Sequence, residues 1–318
     1  MFRYVVCACL LLSGATPAPR PGQAWNLPLP GNGRLPMAWV APGSFTMGSP
    51  DSENGRKADE GPQTRVTLRK GYWMGRTEVT VGQWKAVTGE TLRKHVEQML
   101  RDDSLYDFGG KVQTLRAFMH FDPADPDKIM ANEDDGLPMY FVSWNDAMDF
   151  CHRLTVLERA NGRLPKGYAY TLPTEAQWEY ACRAGTTGPT WAGPQDVPGV
   201  LDSIAWYKGD NAPTYTGKKL GNSGAGPREA GEKNANPWGL QDMPGNLWEW
   251  CRDWYGPYPG GQVTDPDGPA AGKGRVNRGG SWGSGASDER SANRAQNPQP
   301  EKSAYRGFRL ALCQTAEP

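Results

Sequence analysis

From Trp191 to the C-terminus the chain shows no long apolar periodicity, only short runs separated by glycine, proline, asparagine and aspartate. Such punctuation specifies turns and short strands, not long elements. Ordered loops of that extent need an internal reason to stay in place, and bound metal and buried aromatic side chains are common ones. The sequence supplies the aromatics: 13 Trp accompany 40 Gly and 28 Pro in 318 residues. A chain this aromatic is not disordered, and its length is ample for one large domain or two small ones. Its 35 basic and 35 acidic residues leave no basic excess to release counterions, so nucleic acid and polybasic membrane attachment are not expected.

The N-terminus begins Met1-Phe2-Arg3, continues with an apolar run over residues 4–14 and reaches small residues at Gly22-Gln23-Ala24. A positive start followed by an apolar stretch too short to span a bilayer predicts a secretory signal peptide over residues 1–24. A retained N-terminal anchor is the alternative. Cleavage would leave a nearly neutral chain without a transmembrane span, in a secreted or periplasmic location. Cys151, Cys182, Cys251 and Cys313 would then meet oxidants, and four cysteines allow three pairings. None is spaced C-x-x-C, so a structural zinc site is not expected.

Three helix starts share one chemistry. Thr80-Val-Gly-Gln83, Ser143-Trp-Asn-Asp146 and Thr174-Glu-Ala-Gln177 each place a hydroxyl at the N-cap, with an oxygen-bearing side chain three residues on. The two side chains of each can bond reciprocally to free first-turn amides, and Gly89, Gly162 and Gly185 supply the stops. Ala147, Phe150, Cys151 and Leu154 recur at helical spacing, which turns Cys151 toward the core. Trp84, Trp144 and Trp178 sit near the starts of these helices and are read as packing anchors. Residues 37–47 have strand character broken by Pro42-Gly43, and residues 65–68 and 71–74 also read as strands. Residues 25–34 form a Pro/Gly-rich lead-in. Residues 91–137 form a surface insertion with an apolar stripe of Leu92, Val96, Met99 and Leu100. His95, His120 and His152 are scattered, and Asp265-Pro-Asp267-Gly268 reads first as a turn.

Seven collinear stretches carry a family resemblance. They are residues 37–49 (MAWVAPGSFTMGS), 78–84 (EVTVGQW), 138–147 (PMYFVSWNDA), 172–185 (LPTEAQWEYACRAG), 236–251 (NPWGLQDMPGNLWEWC), 278–282 (RGGSW) and 307–310 (GFRL). In this order they resemble the sulfatase-modifying-factor domain of the formylglycine-generating enzymes, over residues 35–315 with the insertion as the main departure. The resemblance implies an α+β architecture: a variant of the C-type-lectin-like fold, loop-rich, low in regular secondary structure, with bound calcium.

The best-characterised family members oxidise a cysteine of a client sulfatase to formylglycine, using copper held by two cysteines shortly after the GGS segment. Here no cysteine occurs from Arg252 to Leu312, and the two positions fall at about Ser284 and Glu289. A hydroxyl and a carboxylate are poor ligands for copper(I), so copper is not expected. Calcium is expected instead, on the side chains of Asp242 and Glu249 and the carbonyls of Gly245 and Leu247. The alternative is a turn in which both acids cap backbone amides. A second calcium position would fall near residues 202–211, where the expected asparagine does not line up. The resemblance places Trp248, Trp282, Asn293, Arg294 and Arg306 around a peptide groove, although such residues also tie loop-rich cores together. The same layout resembles diversified binding proteins. It also implies a disulfide from Cys182 to a cysteine beside GFRL; Leu310 stands there, which leaves Cys182–Cys313 or Cys151–Cys182 as pairings. The resulting reading is an exported domain without the copper chemistry that binds a protein or peptide, a sulfatase among the client classes. An active formylglycine-generating oxidase, or a copper-independent oxidase using Glu289 or Asp288 as acid or base, are the alternatives.

Overall fold

In this computed structural model, residues 19–120, 126–130, 132–197, 199–208 and 226–315 are described. The first half runs β1 (Ala24–Pro28), β2 (Arg34–Val40), β3 (Gly43–Met47), β4 (Thr64–Leu68), β5 (Tyr72–Gly75), α1 (Val81–Thr88), α2 (Leu92–Arg101), β6 (Leu105–Asp107), β7 (Val112–Thr114) and α3 (Leu115–Met119). It continues with α4 (Trp144–Ala160), β8 (Tyr168–Thr171), α5 (Glu175–Arg183) and α6 (Val200–Ile204). The second half holds only short strands: β9 (Trp248–Trp254), β10 (Gly261–Thr264), β11 (Arg275–Arg278), β12 (Arg294–Asn297), β13 (Arg306–Gly307) and β14 (Ala311–Gln314).

All three predicted helix starts form reciprocal caps. Gln83, Asp146 and Gln177 amides donate to Thr80, Ser143 and Thr174 hydroxyls at 3.2, 3.1 and 3.1 Å, and the return bonds measure 3.0, 2.8 and 2.8 Å. The α1 stop is Gly89 at φ 75°. For α5 the left-handed cap is Ala184 (φ 45°), one residue before the expected glycine.

Five strands in the order β1-β2-β5-β14-β8 make an antiparallel sheet that brings the two ends of the domain together. Its alternation separates two cores. Met37, Trp39, Trp73, Tyr170 and Leu312 face the larger core, with Trp84 of α1 and Ala147, Phe150, Cys151 and Leu154 of α4. Ala38, Val40, Tyr72, Met74 and Ala311 face the other, with Ala176, Trp178, Ala181 and Cys182 of α5. Smaller sheets, β10-β4-β3 and β12-β11-β9-β13, complete the frame, with β6 and β7 as a separate hairpin.

Two boundaries differ from the sequence reading. The lead-in of residues 25–34 is partly folded: β1 pairs with β2 from Ala24↔Ala38 to Pro28↔Arg34, and Leu27 is fully buried. Even Gly22 and Gln23 bond to Trp39, whereas residues 1–18 of the expected signal peptide lie outside the described residues. The insertion contributes to the core as well as to the surface, because Leu92, Val96, Met99 and Leu100 of α2 bury their stripe in the larger core, as the 3.6-residue period requires. No helix among the described residues is long and apolar enough to cross a membrane.

What holds the loops is a set of buried arginines. Arg290 grips Glu60 and Glu53, Arg294 grips Glu175, Arg278 pairs with Glu179, and Arg309 pairs with Glu249. Each guanidinium fork ties together segments far apart in sequence.

Candidate functional site

The segment from Asp242 to Glu249 is a tight loop entering β9. Asp242, Gly245 and Asn246 all take positive φ (53°, 82° and 63°), and a side chain at 245 would run into the Trp206 backbone. Along β9, Glu249, Cys251 and Asp253 share one face. Glu249 and Asp253 meet α5: Trp178 Nε1 donates to Glu249 at 2.7 Å, and the Glu175 amide donates to Asp253 at 2.9 Å.

The acids of this loop are unevenly served. Glu249 is saturated by Trp178 and by Arg309, whose Nε and Nη2 donate at 2.7 and 2.6 Å. Asp242 accepts the Gly231 amide at 2.6 Å through Oδ2, while its buried Oδ1 has no partner. Glu78, in the motif EVTVGQW, is fully buried with both carboxylate oxygens unpartnered. Burial, then Asp242 and Glu249, push the Glu78 carboxyl well above the usual range, with Arg309 opposing. Burial likewise pushes Asp242 up to about 6, against the Gly231 amide and Arg309.

Arg309 therefore faces three carboxylates, and if all were ionised two negative charges would stand unbalanced. A divalent cation with a preference for hard oxygen matches that excess. Among the described residues no three acidic, imidazole or thiol side chains converge as a metal set, so a cation here would rest on Asp242 and Glu78 with main-chain oxygens completing its shell. Glu249 was expected as a direct ligand; its oxygens are instead committed to Arg309 and Trp178. Glu78 was not singled out from sequence, because a glutamate before a helix start usually lies at the surface. Residues 209–211 of the second expected calcium segment lie outside the described residues.

Ser284 and Glu289 flank a short 3-10 turn at Ala286–Asp288. Ser284 Oγ accepts from Trp248 Nε1 and from the Ser281 amide, both at 3.1 Å, and lies 3.0 Å from Ser281 Oγ. Glu289 is fully buried beneath Gly280, where any Cβ would strike its carboxylate. The Ser281 and Gly245 amides face it and pull its pKa down, yet neither reaches hydrogen-bond geometry. Burial, helped by Asp288, wins and holds the carboxyl well above its ordinary range.

Of the five expected groove residues, Asn293, Arg294 and Arg306 are buried. Asn293 donates to the Asp288 carbonyl, Arg294 is spent on Glu175 and the ring of Tyr258, and Arg306 on Glu301. Trp282 is buried as well, and Trp248 is half-buried; both touch Tyr305. Trp282 stacks on Tyr305 at 4.4 Å between ring centroids, Tyr305 is 37% exposed, and its carbonyl accepts the Trp248 amide at 2.8 Å. Sequence reading missed Tyr305, although it lies between Arg306 and the RGGSW anchor in the same segment. The four described cysteines are free thiols, with neither expected disulfide formed. Asp265 and Asp267 pair with Arg69 and Arg252.

Comparison with known proteins agrees with this architecture. The model of the sulfatase-modifying factor enzyme 1-like domain matches residues 31–313. A formylglycine-generating enzyme from Bos taurus is 30% identical over 297 residues, 86% of this chain and 74% of that protein. PvdO from Pseudomonas aeruginosa superimposes with a TM-score of 0.65 at 25% identity, covering 93% of this chain and 99% of its own. Treponema denticola variable protein 1 gives 0.64 at 25% identity over 92% and 99%. The mixed, loop-rich architecture is thus the formylglycine-generating-enzyme variant of the C-type-lectin-like fold, and the chain belongs to the sulfatase-modifying-factor family.

Proposed function

We propose that this chain is an exported, calcium-binding member of its family that does not perform copper–thiolate oxidation and holds a protein or peptide ligand on the loops around Trp248, Trp282 and Tyr305. One observation carries the reading: no cysteine follows the GGS segment before Cys313, and at about the two positions where the family's copper ligands would fall stand the Ser284 hydroxyl, committed to Trp248 and Ser281, and the buried Glu289 carboxyl. Neither is a soft ligand for copper(I). The aromatic cluster above them combines apolar area with polar tips, the chemistry of binding hot spots. Calcium would be held by Asp242 and Glu78 with main-chain oxygens, and it would supply the charge that lets both acids ionise. A sulfatase is the first client class to test, since relatives carry the name formylglycine-generating enzyme.

The test is mass spectrometry of a Cys-x-Pro-x-Arg peptide incubated with the protein, copper(I), calcium and oxygen. No conversion of cysteine to formylglycine is expected, and conversion would overturn the reading. A copper-independent enzyme is the second reading, supported by a Glu289 carboxyl that burial holds well above its ordinary range and that has no hydrogen-bond partner. Oxygen consumption with the same peptide, lost in Glu289→Gln, would favour it.

A further inference from the structure

Beside the N-terminus of α5 and the end of β9 lies a cavity of about 630 Å³. Its walls are mainly apolar: Trp254, Tyr258, Val263, Pro259, Pro266 and Pro269. Three carboxylates also line it, and two are paired with arginine. Arg294 holds Glu175 at 2.8 and 2.6 Å, and Arg252 holds Asp267 at 2.9 and 2.5 Å. Asp253 is different. It is 5% exposed and accepts the Glu175 amide, and among the described residues no lysine, arginine or histidine lies within ion-pair distance of it. A cavity with one uncommitted acid among rings and prolines has the chemistry of a small-molecule site.

We propose that this cavity binds an organic ammonium ion with an aromatic or similar apolar body, the charged head on Asp253 and the body between Trp254 and the prolines. These rings already receive cations: Arg275 lies 3.6 Å over Trp254 and Arg294 lies 4.0 Å over Tyr258. An anion would meet three carboxylates, and a neutral ligand would leave Asp253 without a counter-charge. The site shares no residue with the Trp248–Tyr305 surface and does not depend on the function proposed for it. Burial, with Glu175 and Asp267 adding and Arg252 opposing, pushes the Asp253 carboxyl up to about 7. Cys251 and Arg275 also face it. Ammonium affinity should therefore rise between pH 6 and pH 8, as Asp253 ionises.

The experiment titrates the full chain with 2-phenylethylamine and with 2-phenylethanol, its neutral counterpart, by calorimetry at pH 8. Saturable binding of the amine, at least tenfold tighter than the alcohol, is expected. Asp253→Asn keeps an oxygen to accept the Glu175 amide and should erase that preference. Val263→Phe, at the half-buried rim, should block both compounds. Absence of saturable amine binding, equal affinity for the two compounds, or a preference that persists in Asp253→Asn would overturn the proposal. If Asp253→Asn does not fold, the amine-to-alcohol ratio and the Val263→Phe titration decide.

Discussion

Arg309 closes on Glu249 with both arms of its fork, Nε on Oε2 at 2.7 Å and Nη2 on Oε1 at 2.6 Å, and both side chains are buried. The remaining guanidinium protons reach the carbonyls of Gly75, Arg76, Gln241 and Asp242. One side chain thus ties the end of β5, the acid loop and the start of β9. Its partner is the last acid of the loop that begins at Asp242, and Asp242 and the neighbouring Glu78 keep unpartnered oxygens.

Arg309→Met should therefore destabilise the protein by about 3–5 kcal/mol, because it leaves Glu249 buried without its counter-charge. Arg309→Lys keeps the charge but cannot make two parallel bonds or reach all the carbonyls, so it should fall between the parent and Met. Urea unfolding of the three proteins measures both differences. Equal stability of Met and parent would mean that the pair contributes nothing net.

Calcium and pH should act on the same acids. Asp242, raised to about 6, and Glu78, also pushed well above its ordinary range, hold protons in the folded state that the unfolded chain releases near pH 4. Without calcium their contribution to stability is full below about pH 4 and is lost as pH rises through the folded values. Calcium replaces those protons, so the rise in Tm on adding excess calcium should be small at pH 5 and large at pH 7. Asp242→Asn and Glu78→Gln should each reduce it. A calcium response unchanged by both variants would place the ion elsewhere.

Glu289 offers a slope as its test. Burial holds its carboxyl well above its ordinary range when folded, whereas the unfolded chain ionises it above about pH 4.5, so folding takes up a proton between those two values. Glu289→Gln removes that uptake while keeping the shape. The variant should gain on the parent by about 1.4 kcal/mol per pH unit above pH 4.5, until the carboxyl ionises in the folded state. Unfolding free energies at pH 5, 6 and 7 give the slope, and parallel curves would show that Glu289 is already ionised.

The parts of this molecule that were legible in sequence are those written in local chemistry. The Thr80/Gln83, Ser143/Asp146 and Thr174/Gln177 boxes sit where their spacing puts them, and the stripe of α2 is buried as its period demands. What was not legible is long-range. Arg290 and Glu60 lie 230 residues apart, and each alone reads as a surface charge. The burial of Glu78 and Glu289 was hidden for the same reason: polar side chains carry no periodic sign of the inside. Arg294 and Arg306 read as ligand contacts because arginine suits both binding surfaces and internal ties, and only the structure pairs them with Glu175 and Glu301. The strand β1 was hidden by the glycines and prolines around it, although alternation places Leu27 inward.

The cysteines are a case in which a family habit and this chain's geometry part. Cys182 Sγ lies 3.5 Å from Ser291 Oγ, while Cys313 accepts from Gln177 Nε2 at 3.6 Å, so the two thiols serve different partners. Burial pushes both thiols up to about 11, and those of Cys151 and Cys251 are also raised. A thiol held protonated is a poor nucleophile. Cys313 alone among the four is incompletely buried, at the edge of a cavity of about 520 Å³ with Arg252 nearby. Maleimide at neutral pH should therefore label Cys313 slowly in the native protein and leave Cys151, Cys182 and Cys251 untouched until denaturant is added. Peptide mapping by mass spectrometry reads this directly. A cross-linked peptide containing Cys182 and Cys313 would mean that oxidation pulls α5 and β14 out of the arrangement described, since both sulfurs would have to leave their present partners to meet.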